Sequence, residues 1–122
     1  MEYTALLIMT ALLIKHYICD FPLQTEFQLK NKGTYWHPGG LQHSMYHGIG
    51  TLLALGIVLG INYWFFILVI AFADAVIHYH IDWIKMRWGC GDISKRQFWS
   101  HLGLDQLAHQ LVYVAIAYIC VV

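Results

Sequence analysis

The third apolar segment, Tyr63–Ile84, reads YWFFILVIAFADAVIHYHIDWI. Its first eleven residues carry no charge; its last eleven carry Asp74, His78, His80 and Asp82. The segment has the ~20 residues that a helix needs to cross ~30 Å of hydrocarbon. Residues four apart on a helix stack on one face. Asp74, His78 and Asp82 therefore form one stripe, confined to one end, while His80 sits about 200° around the helix from His78 and is expected to meet a neighbouring helix or a headgroup. An ionisable group inside a membrane costs ~2.5–3.5 kcal/mol on insertion scales, so the stripe calls for partners on other helices.

Three further apolar segments supply them: Tyr3–Phe21, Gln42–Ile61 and Phe98–Val122. They carry His16-x3-Asp20, His43-x3-His47 and His101-x3-Asp105-x3-His109. The expected fold is all-α: a single domain over residues 1–122, a bundle of four transmembrane helices. A water-soluble four-helix bundle is the alternative. Against it, Thr51–Ala73 has no charged residue and Leu111–Val122 shows no polar stripe, which a soluble amphipathic helix would have. The first segment begins with Glu2 in place of a basic region and is interrupted by Lys15 and His16, so it reads as a retained helix and not a signal peptide.

The connections are Pro22–Leu41, a tight hairpin at Gly60–Tyr63, and Lys85–Gln97. Six of the seven basic residues fall in the first and third. The positive-inside rule makes that side cytoplasmic and puts both termini on the other. All the paired His and Asp residues then lie in the cytoplasmic half. Counting turns, His16, His47, Asp74 and His109 are expected deepest. Asp20, His43, His78 and Asp105 come one turn nearer the cytosol, and Asp82 and His101 at the mouth. Lys15 is expected to snorkel outward, and His37 to be solvated. Gly56-x3-Gly60 has the spacing of a close-packing motif.

Composition narrows the function. Of the 122 residues, 59% are hydrophobic and 11% charged, against about 25% charged in a soluble domain, which also excludes intrinsic disorder. Net charge is zero with no basic run, arguing against nucleic-acid binding. Eight His and five Asp stand beside only two Glu, a balance that favours metal ligation or proton movement over solubility. Cys19, Cys90 and Cys120 have no CxxC spacing, so neither a disulfide framework nor a thiolate site is expected.

Carboxylate and imidazole without thiolate suit Zn²⁺, with Mn²⁺ or Fe²⁺ as alternatives. The expected metal ligands are His16, Asp20, His43, His47, Asp74, His78 and His109. That many ligands exceed one tetrahedral ion and suggest two sharing a carboxylate, as in hydrolytic sites with ions ~3.5–4 Å apart. Asp82 or Asp105 would serve as base or as the orienter of a ligating His. Lys85 and Arg87, with Lys95 and Arg96, would attract an anionic substrate: a phospholipid or other lipid-linked phosphoester.

The stretches KHYICDFPLQTEFQLKNK, LQHSMYHG, DAVIHYHIDWIKMRWG and LGLDQLAHQLVY together resemble a family of small bacterial and phage inner-membrane proteins, domain of unknown function 3307. Its pattern matches here at His16, Asp20, Phe21, Leu23 and Gln24, at His43 and His47, at His78, Asp82 and Lys85, and at Asp105, Gln106 and His109. The resemblance implies a multi-pass inner-membrane location and no established activity. A more distant likeness is to membrane-bound metal-dependent hydrolases, which also place His and Asp on membrane helices. Two other functions stay open: a divalent-cation or proton transporter, which would need polar residues continuing to the outer face, and a non-catalytic membrane module with a structural metal. A homo-oligomer is open as well.

Overall fold

A computed structural model describes residues 2–122. Among them there are five α-helices and no strand: α1 (Glu2–Asp20), α2 (Glu26–Asn31), α3 (Pro38–Leu59), α4 (Trp64–Trp88) and α5 (Arg96–Val121). The four long helices form a ring in chain order. α1 packs on α3 and α5, and α4 packs on α3 and α5, with no backbone approach across either diagonal. Short connections make successive helices antiparallel. The α3–α4 connection turns at Gly60, whose φ of 86° lies in the left-handed region that glycine enters without a Cβ penalty.

The interior is divided lengthwise. One half is an apolar plug built from Ile8 and Leu12 of α1, Ala54 and Leu55 of α3, Ile67 and Ile70 of α4, and Tyr113, Ile116 and Ala117 of α5. The other half buries Lys15, His16, Asp20, His43, His47, Asp74, His78, Asp82, Asp105 and His109. The outside is the reverse: Ile57, Phe72 and Tyr118 are 85%, 71% and 66% exposed. A polar half-interior with apolar outer faces is the distribution expected when lipid is the solvent.

Among the described residues three helices, not four, are long and apolar enough to cross a membrane: Tyr3–Asp20, the 28 residues Ile61–Trp88, and Arg96–Val121. α3 has the length, at 22 residues, but Gln42, His43, Ser44 and His47 and the glycines at 39, 40, 48 and 50 dilute its hydropathy. As the helix between α1 and α4, it hides that polarity inside the ring.

The first connection is not the plain loop expected from its turn residues. It contains α2, opened by a capping box in which the Thr25 side chain accepts from Gln28 N–H and the Gln28 side chain accepts from Thr25 N–H. Gln28 then donates to Gln42 Oε1 at 3.1 Å. Trp36, at φ 61°, is held by its N–H donating to the Tyr79 hydroxyl at 2.8 Å. His37 is not free in solvent: its Nδ1 accepts from Gly39 N–H and caps α3. The segment from α2 to His37 thus closes over the polar end of the bundle, with Phe27, Tyr35 and Trp36 exposed on it.

The close-packing glycine is Gly48, not the Gly56–Gly60 pair. A Cβ on Gly48 would sit 3.0 Å from Ala75 Cβ and 3.2 Å from the Ala71 carbonyl, whereas one on Gly56 meets nothing within 4 Å. Gly48→Val is expected to force α3 from α4 and cost about 1–3 kcal/mol, seen as a lower unfolding midpoint in detergent. Gly56→Ala meets no neighbour and should hold or raise the midpoint, because alanine favours the helix.

Candidate metal centre

The i,i+4 stripes of all four long helices converge in the polar half. Asp20, at the C-terminus of α1, is the hub of one side. Its Oδ1 lies 2.9 Å from His47 Nε2, 3.1 Å from His43 Nε2 and 3.9 Å from His78 Nε2. Its Oδ2 lies 3.1 Å from His16 Nε2. Asp82 is the hub of the other. Its Oδ2 lies 3.3 Å from His43 Nε2 and 3.4 Å from His78 Nε2, and its Oδ1 lies 3.7 Å from His109 Nε2. His43 Nε2 and His78 Nε2 are 3.3 Å apart. Two groups with ligand spacing result: Asp20, His43, His47 and His78, and His78, Asp82 and His109, all buried.

The second ring nitrogen of each histidine decides its tautomer, because a neutral imidazole has one donor and one acceptor. His109 Nδ1 lies 2.8 Å from the Asp105 backbone carbonyl, which can only accept. Its proton is therefore on Nδ1, and the buried Nε2 presents a lone pair with no hydrogen-bond partner, facing a carboxylate oxygen. His16 is the opposite case. Its Nε2 meets two acceptors, Gln106 Oε1 at 3.0 Å and Asp20 Oδ2, while its Nδ1 receives the Tyr113 hydroxyl at 2.9 Å. His47 resembles His16, since its Nδ1 faces the Lys15 ammonium at 3.4 Å, leaving Nε2–H to donate to Asp20. His43 and His78 have no partner on Nδ1, so nothing on that side fixes their tautomers, and their Nε2 atoms face each other and the Asp82 carboxylate.

Two lysines enter this interior. Lys15 does not snorkel outward: its Nζ lies 2.8 Å from Asp74 Oδ2 and donates to the His47 carbonyl at 3.2 Å. Thr51 donates to the same Asp74 oxygen at 2.6 Å. Asp74 is thus placed against Lys15 and Thr51, outside both ligand groups. Lys32, just past α2, sits 2.8 Å from Asp82 Oδ2 in a buried ion pair whose angle is not that of a hydrogen bond. Asp82 is accordingly inside the cluster, roofed by Lys32, and not at an open mouth. Asp20, Asp74, Asp82 and Asp105 face only Lys15 and Lys32 as fully buried ammonium groups, an excess of two negative charges if all ionise. Unpaired charge at this depth is costly.

The remaining candidates lie along α4 and α5. Asp105 is buried, with Oδ1 unpartnered and Oδ2 3.2 Å from Gln106 Nε2 and 3.9 Å from Lys85 Nζ. Lys85 is half-buried; Arg87 is exposed and reaches none of these groups. His101 Nδ1 accepts from Cys90 N–H at 2.8 Å. His80 lies off the stripe and meets the Tyr35 hydroxyl at 3.2 Å.

A divalent cation fits the donors. With ~2.0–2.1 Å bonds, a tetrahedral ion holds its ligand atoms about 3.3 Å apart. His43 Nε2, His78 Nε2 and Asp82 Oδ2 form a triangle of 3.3, 3.3 and 3.4 Å. These two imidazole nitrogens and the His109 lone pair lie at the spacing of ligands that could hold an ion. Reasoning from the sequence missed Lys15 and Lys32 as counter-charges. The Thr25-x2-Gln28 spacing was the available signal for α2 and hence for Lys32.

An all-helical chain with His and Asp buried together on apolar helices defines the class. More particularly, the chain belongs to the family described as "Protein of unknown function (DUF3307)", which matches residues 8–122. No curated protein and no solved structure matches the chain.

Proposed function

We propose that this protein is a membrane-embedded metalloenzyme that hydrolyses a phosphoester at the membrane surface. The observation that carries the metal is the unpartnered His109 Nε2 lone pair facing Asp82 beside the His43–His78–Asp82 triangle. His43, His78 and Asp82 are the ligands in this reading, with the fourth position left for water and His109 and Asp20 flanking them. His16 and His47 hold Asp20 by donating to its two oxygens, the role of groups that orient residues around an ion. Asp74 serves Lys15. This accounting favours one ion, Zn²⁺ by its nitrogen-rich set, over the pair that the number of candidate ligands suggests. The ion would also neutralise the excess buried negative charge.

A bound Zn²⁺ would supply Lewis acidity and a hydrolytic nucleophile near neutral pH. Asp105, with a free oxygen beside the cluster, takes the proton. Lys85 draws in the phosphate. The apolar plug supports this reading over a transporter, because it leaves no polar route through the other half of the bundle. By the positive-inside rule, the polar half faces the cytoplasm and both termini lie outside.

Elemental analysis of detergent-purified protein tests the metal directly. About one metal ion per chain is expected; His43→Ala and His78→Ala should lose it, and His47→Gln should keep most of it. Protein without stoichiometric metal would overturn the reading.

A further inference from the structure

His43, His78 and Asp82 are 1%, 1% and 5% exposed, so a solute reaches them only if part of the molecule moves. Two parts lie in the way. One is the strap from α2 to His37. It sets Lys32 against Asp82 and packs on the start of α3, where a Cβ on Gly40 would stand 3.5 Å from Lys32 Cα. The other is the α4–α5 contact, beside a cavity of ≈ 350 Å³ lined by Ile84, Lys85, Leu104, Asp105 and Ala108.

The strap is the looser of the two. Beyond α2 its backbone hydrogen bonds run within itself or to the first residues of α3: Thr34 N–H to the Asn31 carbonyl, His37 N–H to that of Thr34, and Gly40 and Leu41 N–H to that of His37. Among the described residues no backbone hydrogen bond ties it to α1, α4 or α5. Side-chain contacts hold it down: Gln28 to Gln42, Trp36 N–H to the Tyr79 hydroxyl, and Lys32 to Asp82. The last has the distance of an ion pair without the angle of a hydrogen bond. Trp36 keeps its left-handed φ of 61°, which a residue with a Cβ holds only at a cost. Few anchors and a strained residue mark a unit that opens before the long helices part.

We propose that the strap from α2 to His37 is the door to the polar centre and that Lys32 on Asp82 is its latch. Closed, the strap seals His43, His78 and Asp82 from water. Open, it carries Lys32 away and admits a small hydrophilic solute, a divalent cation included, from the solution at this end. The four long helices stay packed throughout. The inference stands on how the strap is held and is independent of whether the centre carries a metal.

Gly33 and Met86 supply the test. A Cβ on Gly33 would lie 3.4 Å from Met86 Cβ, close to the spacing across a disulfide. Gly33→Cys/Met86→Cys, with Cys19, Cys90 and Cys120 changed to Ala, pins the strap to α4 when oxidised and frees it when reduced by a phosphine. The probe is diethyl pyrocarbonate, which acylates accessible neutral imidazole, read at His43 and His78 by peptide mass mapping of detergent-purified protein. Once intact mass shows the bond formed, the oxidised protein should react at both histidines roughly tenfold more slowly than the same protein reduced, a factor equal to about 1.4 kcal/mol in the opening equilibrium. Lys32→Met removes the latch without an engineered bond and should react roughly tenfold faster than wild type on the same scale. Ala108→Phe, which fills the α4–α5 cavity, should leave both rates at the wild-type value. Equal rates in oxidised and reduced protein, a Lys32→Met protein no faster than wild type, or slowing by Ala108→Phe in place of the disulfide would overturn the proposal. Metal content measured on the same samples reports separately on the metalloenzyme reading.

Discussion

On the proposed metalloenzyme reading, Asp82→Asn is expected to lose metal and hydrolytic activity together, with an affinity drop beyond the roughly 100-fold seen when only an orienting group is removed. One substitution removes three things. Oδ2 completes the triangle with His43 and His78, Oδ1 faces the His109 lone pair, and the carboxylate neutralises Lys32 at 2.8 Å. An amide leaves that ammonium buried without a counter-charge, which costs about 3–5 kcal/mol for a broken buried pair. Metal titration and the unfolding midpoint should fall in parallel. The companion variant Lys32→Met/Asp82→Asn isolates the metal term. It removes the stranded charge and should recover most of the midpoint while staying metal-free. A metal-replete Asp82→Asn would show that the ion, if any, lies elsewhere.

Lys15→Met is the second large effect, and it separates Asp74 from the ligands. Asp74 has two close partners, the Lys15 ammonium at 2.8 Å and the Thr51 hydroxyl at 2.6 Å. Without Lys15 the carboxylate is an uncompensated charge next to the apolar plug. The expected loss is again about 3–5 kcal/mol, seen as a large fall in the detergent unfolding midpoint. Lys15→Met/Asp74→Leu replaces the pair by apolar groups of similar volume, a change that is often neutral or stabilising. The double variant should regain the midpoint and bind metal as wild type does. Loss of metal in the refolded double variant would return Asp74 to the ligand set.

These two variants turn on the part of the site that the sequence conceals. The stripes are legible because i,i+4 spacing depends only on helix geometry, and four such stripes at one end of four apolar segments are hard to produce otherwise. Helical class follows from the same pattern. Which polar residue meets which is another matter. Lys15 reads as a snorkelling lysine because nothing along the chain says that Asp74 and Thr51 wait across the ring. Lys32 reads as a loop charge because α2, at six residues, is too short to show periodicity, and only its capping box betrays it. Gly56 and Gly60 have the better motif spacing, yet Gly48 faces Ala75; spacing does not tell which face of α3 meets α4. Sequence also treats all histidines alike. The division into His109, which offers a lone pair, and His16 and His47, which offer protons, rests on a backbone carbonyl, a tyrosine hydroxyl and an ammonium brought in by folding.

The lengthwise split of the interior has an electrical consequence. Nine closely packed apolar and aromatic residues form an insulating layer of low polarisability, and a transmembrane voltage falls mostly across such a layer. The imidazole–carboxylate end lies to one side of that layer, roofed by Lys32. Moving a charge through the full field is worth about 2.3 kcal/mol per 100 mV, and an ion seated beyond the insulator feels little of it. On the proposed membrane reading, energising or collapsing the membrane would therefore neither load such a centre nor strip it.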